Sequence, residues 1–110
     1  MPLAAYTDLC IDAVDAPVAT RFWAEVLGLD PHLQADGDGE LRDQDGHVIV
    51  RVNGVAESKT VKNRVHIDVT TDDVDALLSH GATLLQPRGG ELGWDVLADP
   101  DGNEFCAFTS

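Results

Sequence analysis

Polar and apolar residues alternate along Asp8-Leu9-Cys10-Ile11-Asp12-Ala13-Val14, the period-two pattern of a β-strand. The pattern then changes. Asp15 is placed to cap a helix whose first turn carries Pro17, where a missing N–H costs little. Val18, Phe22, Val26 and Leu27 recur at helical spacing, and Gly28 is placed to end the helix. The same grammar restarts at Arg64. Val65, Ile67 and Val69 alternate with His66, Asp68 and Thr70, Asp72 or Asp73 caps a second helix striped by Val74, Leu77 and Leu78, and Gly81 closes it. Superposing Asp15 on Asp73 sets Asp8 against His66 and Cys10 against Asp68. A duplication of this kind constrains the fold more than any single residue does.

Short strand-like pieces follow each helix. After the first they are 31–34, 40–42 and 47–52, with Gly37-Asp38-Gly39 and Asp45-Gly46 as turn chemistry between them. After the second they are 83–86, 94–98 and 104–109, the last two joined by Asp99-Pro100-Asp101-Gly102, which suits a type I turn. The predicted fold is therefore α+β: two βαβββ modules forming a curled mixed sheet around a cup. A single domain over 1–110 is expected, with module one over about 5–53, a linker over about 54–63 and module two over about 64–110. Leu9, Ile11 and Ala13 are expected to bury against the first helix, and Val65, Ile67 and Val69 against the second. Asp8, Cys10, Asp12, His66, Asp68 and Thr70 then share the opposite, polar faces, because one layer of helices cannot cover both faces of the sheets.

Charge narrows the partners. Twenty acidic against seven basic residues give a net charge of −13, which excludes nucleic acid as an expected partner, since phosphate binding needs clustered Lys and Arg. The charge reads either as a solvated acidic surface or as a lining that attracts a cationic ligand. No apolar run reaches the roughly 20 residues a membrane span needs, and the first residues lack the basic start of a secretory signal. The expected setting is cytoplasmic, with Cys10 and Cys106 as reduced thiols rather than a disulfide framework.

The pattern resembles the vicinal oxygen chelate superfamily of glyoxalase I, type I extradiol dioxygenases and bleomycin-resistance proteins. The resemblance spans essentially the whole chain. It rests on Phe22-Trp23-Ala24-Glu25-Val26-Leu27-Gly28, on His66-Ile67-Asp68-Val69 followed by Asp72-Asp73-Val74-Asp75, and on Asp99-Pro100-Asp101-Gly102-Asn103-Glu104-Phe105. It implies the fold but no one activity, because the superfamily hosts several chemistries and some pure binders.

Metal-using members hold their ion with one residue from each of up to four strands. Carried over by the resemblance, the first position falls on Asp8, the second near Val50 or Arg51, the third on His66 and the fourth on Cys106, where glutamate is usual. Glu104 shares the face of Cys106. The resemblance thus implies a small-molecule binding protein with no cofactor and no intact metal site. The competing implication is a divalent-metal-dependent lyase, isomerase or dioxygenase using Asp8, His66 and Cys106, ligand types that zinc accepts. The resemblance is compatible with both a binding protein and an enzyme.

Asp8, Cys10, Asp12, His66, Asp68, Trp94, Glu104 and Cys106 are the expected ligand-binding residues, and the ligand is expected to be cationic or aromatic. Trp94 follows Gly89, Gly90 and Gly93 in a loop and offers a stacking surface. Arg88 in that loop reads either as a partner for a ligand carboxylate or as a surface residue. His32, His47 and His80 read as solvated surface, and Trp23 as core or interface. Related proteins form homodimers, and exposed sheet edges make a homodimer the expected assembly.

Overall fold

A computed structural model describes residues 2–109. The chain divides into two compact units, one running through Ala56 and the other starting at Glu57. Each contains one four-stranded mixed sheet and one helix, so the α+β class and the βαβββ duplication are both present.

In the first unit β1 (Leu9–Ala13) leads into α1 (Ala16–Leu27), followed by β2 (Asp30–Leu33), β3 (Gly39–Arg42) and β4 (Val48–Gly54). The sheet order is β1-β4-β3-β2, with β1 parallel to β4 and the other pairs antiparallel. Asp15 caps α1 by accepting from the Val18 N–H, and Gly28 ends it in the left-handed conformation at φ 67°. The buried face of α1 presents Ala16, Ala19, Thr20, Phe22, Trp23 and Ala24. Trp23 belongs to the core, 1% exposed and edge-on to Phe22 at 5.1 Å between ring centroids.

Small residues let α1 lie close to the sheet. Ala13, Ala16, Ala19 and Val52 form one buried cluster. Gly39, which the sequence pattern assigned to a turn, is the first residue of β3. A Cβ there would collide with the buried Thr20 side chain. The close approach of helix and strand, rather than a turn, is what requires this glycine.

In the second unit β5 (Ile67–Thr70) leads into α2 (Val74–Ser79), followed by β6 (Thr83–Gln86), β7 (Asp95–Ala98) and β8 (Glu104–Phe108). Its order, β5-β8-β7-β6, repeats that of the first unit, and β5 runs parallel to β8. Of the two candidate caps, Asp73 is the N-cap of α2, but the helix ends on His80 rather than at Gly81. Val65, expected to bury against α2, is exposed, because β5 begins only at Ile67. Leu97, Phe105 and Ala107 are fully buried.

The β3–β4 and β7–β8 connections are copies of one five-residue turn. Asp43 Oδ1 accepts the N–H groups of Asp45 and His47, and Asp99 Oδ1 those of Asp101 and Asn103. Gly46 and Gly102 then take positive φ, 84° and 93°. Among the described residues no helix is long and apolar enough to cross a membrane.

Candidate functional site

Strand register decides which side chains share a face, because directly paired residues point the same way. In the first unit one row runs Leu9, Val50, Leu41, Pro31, and it includes the buried Leu41 and Val50. The alternate row runs Cys10, Arg51, Glu40, His32, and is polar throughout. In the second unit the equivalent row is Asp68, Cys106, Val96, Gln86, polar except at Val96. Since Cys10 matches Asp68 in the duplication, Arg51 is the counterpart of Cys106. Of the two residues near which the resemblance sets the second ligand position, Arg51 lies on the polar face and Val50 is buried on the other.

That substitution changes the chemistry of the first unit. Arg51 Nε donates to Asp8 Oδ2 at 2.7 Å, and Arg51 Nη1 donates to Glu40 Oε2 at 2.6 Å. Glu40 Oε1 also accepts from Arg42 Nη2 at 2.6 Å. Arg42 first and Arg51 second hold the Glu40 carboxyl below the ordinary carboxylate range, while Asp8 and then Glu40 push Arg51 further up. Cys10 Sγ lies 3.5 Å from Asp8 Oδ1. His32 lies on this face in β2, its side chain 37% exposed and 2.9 Å from Asp30. Asp12 is exposed on the same side, beside Asn53.

In the second unit His66 Nδ1 lies 3.1 Å from Asp68 Oδ1. One ligand atom from each of His66, Asp68 and Cys106 falls within 4.8 Å of the other two. Asp68 therefore joins His66 and Cys106, a grouping that spacing did not single out. Burial and then Asp68 raise the Cys106 thiol pKa, while Lys62 works against both.

Glu104 is committed elsewhere. Its two oxygens accept from Lys59 Nζ at 2.7 Å and from the Asn63 N–H at 2.8 Å. Burial works to raise its pKa, but Lys59 and Asn63 outweigh it and the net direction is down. The carboxylate fastens the segment that leads into His66. Trp94 packs against Phe108, ring centroids 5.5 Å apart. Arg88 is pinned by Asp95, through Nη2 at 3.0 Å and Nε at 3.2 Å, with its own N–H on the same carboxylate. The loop carrying Trp94 is tied further by paired backbone bonds between Gly89 and Leu92, both 3.0 Å.

A divalent ion of the kind held by metal-using relatives fits the two units differently. In the first, a guanidinium occupies a ligand position and takes up the Asp8 carboxylate, so the residues do not fit a cation. In the second, imidazole, carboxylate and thiol converge, a donor set compatible with zinc. A second grouping, Asp43, Asp45 and His47, coincides with the β3–β4 turn. Its carboxylate is already used by backbone N–H groups, as in the twin turn at Asp99.

Comparison with known proteins agrees with this architecture. A glyoxalase/bleomycin resistance protein/dioxygenase family enzyme from Burkholderia phytofirmans is 21% identical. The match covers 96% of this chain and 98% of that one, with a TM-score of 0.70. A possible glyoxalase from Bacillus cereus is 17% identical over 94% of this chain and 97% of that chain, TM-score 0.67. A mutant fosfomycin resistance protein from Listeria monocytogenes, complexed with Mn(II) and 1S,2S-dihydroxypropylphosphonic acid, is 12% identical over 97% and 90%, TM-score 0.70. At these identities the likeness is one of fold. No curated protein matches the chain. The family model of the glyoxalase-like domain matches residues 8–108, and with the duplicated βαβββ architecture it shows that the chain belongs to the glyoxalase-like family of the vicinal oxygen chelate superfamily.

Proposed function

We propose that this protein binds a small organic molecule on the polar faces of its sheets without a resident metal ion. The observation that carries this reading is Arg51. It stands at the second ligand position and is held by Asp8 and Glu40 at 2.7 and 2.6 Å. A permanent cation there opposes a second one, and the acid at the first position already has its counter-charge.

Trp94 and Phe108 give the second unit an aromatic surface beside Cys106, which supports an aromatic component in the ligand. A cationic ligand has less support, since Asp8 and Glu104 are neutralised by Arg51 and Lys59. A cytoplasmic setting belongs to the same reading and suits two free thiols. So does a homodimer, for which the β6 edge, with Leu84 38% and Leu85 51% exposed, is a natural contact.

The test is a thermal-shift screen of aromatic and carboxylated metabolites, run with and without excess EDTA. A ligand at a hundredfold excess over Kd contributes about 2.7 kcal/mol, a rise of several degrees for a chain of this size. A stabilising ligand whose effect vanishes in EDTA would sink the metal-free reading. The convergence of His66, Asp68 and Cys106 favours a second reading, in which the second unit holds a zinc-like ion that binds or activates the ligand.

A further inference from the structure

Resting on the reading of the polar faces as ligand-binding, we infer that the first unit receives an oxyanion group of the ligand, a carboxylate or a phosphate, on Arg51 and Arg42. The overall charge of −13 points the other way, so the local arrangement has to carry the case.

It does so through depth. The Asp8 and Glu40 side chains are only 9% and 14% exposed, while Arg51 and Arg42 are 40% and 34% exposed. The two arginine side chains thus reach solvent more than Asp8 and Glu40 do, while Asp30, paired across the strands from Arg42 and 71% exposed, adds a negative charge at the edge of the patch. Glu40 bridges the pair, with Oε1 on Arg42 and Oε2 on Arg51. Both side chains are therefore fixed before any ligand arrives, which removes an entropic cost of binding. Asp8 takes Arg51 Nε and Glu40 takes Nη1, which leaves Nη2 for a ligand oxygen. Arg42 uses Nε and Nη2 on Glu40, which leaves Nη1. Each guanidinium thus keeps one Nη group for a single charge-assisted hydrogen bond to a carboxylate or phosphate oxygen. Remote acidic charge is screened beyond about 8–10 Å at ordinary ionic strength, whereas these donors act in contact.

The partly compensated charge makes a signed prediction. Asp8→Asn removes negative charge from beneath Arg51 while keeping a side chain of the same shape. It should tighten oxyanion binding at least threefold. Arg42→Gln should weaken binding at least fivefold, with Glu40 still held by Arg51. Arg51→Gln is less informative, because it leaves two carboxylates unpaired and threatens folding.

The experiment titrates wild type with sodium phosphate and, separately, sodium acetate at constant ionic strength in chloride, following the arginine Nε resonances by NMR. Saturating shifts of Arg51 and Arg42, altered in the stated directions by the two variants, are expected. The anion that saturates at lower concentration identifies the group. Glu25→Gln, an exposed acid on α1, is the control for general charge. Non-saturating shifts, or a Glu25→Gln effect equal to that of Asp8→Asn, would overturn the assignment. Should organic ligands stabilise the protein in EDTA while neither anion perturbs Arg51, the binding function stands and the oxyanion site falls.

Discussion

Two glycines separate two kinds of constraint. Gly28 lies at φ 67° with open space where a Cβ would stand, so its requirement is backbone conformation alone. Gly39 has no such φ, but a Cβ there would collide with Thr20. Gly28→Ala should cost about 1 kcal/mol, and Gly28→Asn less. Gly39→Ala should cost about 1–3 kcal/mol by overpacking, and Thr20→Ala in the same chain should recover part of that loss through coupling. Denaturant unfolding of the four variants checks this; a Gly39→Ala loss that Thr20→Ala does not partly recover would contradict it. The spacing of Gly28 made its role legible in sequence. The role of Gly39 was not legible, because its partner Thr20 lies nineteen positions earlier and meets it only across the packed helix. Arg51 was obscured for a similar reason: only strand register chooses between it and Val50.

At the scale of elements the two helices differ in what holds them. α1 spans 12 residues and buries six of them, whereas α2 spans 6 and buries Leu77. A helix this short is marginal on its own, so α2 depends more on its cap. Asp73→Ala should cost about 1 kcal/mol and should raise amide exchange across α2 while leaving α1 protected. Hydrogen exchange read by NMR would show it, and equal exchange in both helices would contradict it. Caps, helix starts and most strands were legible because each rests on local chemistry: Asp15 and Asp73 both accept from the N–H three residues on. The twin five-residue turns were only half legible. Gly46 and Gly102 mark them, but the matched hydrogen bonds of Asp43 and Asp99 emerge only in the fold. Glu104 and Arg88 read as free to meet a ligand until the structure showed Lys59, Asn63 and Asp95 holding them.

Across the whole molecule acidic charge dominates, and several of its carboxylates are held by folded-state hydrogen bonds. Glu40, Asp43 and Asp95 all have lowered pKa values, with Arg42, the His47 N–H and the Arg88 N–H as their respective leading causes. A lowered folded-state pKa means the unfolded chain binds more protons between the two values. Stability from these groups is complete above the ordinary carboxylate range, roughly pH 4, and is lost as pH falls through the folded-state values. The melting temperature should be flat near neutrality and fall below about pH 4, and Glu40→Gln should make that fall shallower. An identical slope in the variant would remove Glu40 from the account.

Binding without a resident metal ion rests on Asp8, Arg51, His66 and Cys106, of which the second is a cation bound to the first. Elemental analysis of protein purified without chelator, with His66→Ala prepared in parallel, tests it most directly. Far less than one equivalent of any transition metal in both proteins is the predicted result. About one equivalent in the wild type, lost in His66→Ala, would contradict it and place a metal centre on His66, Asp68 and Cys106.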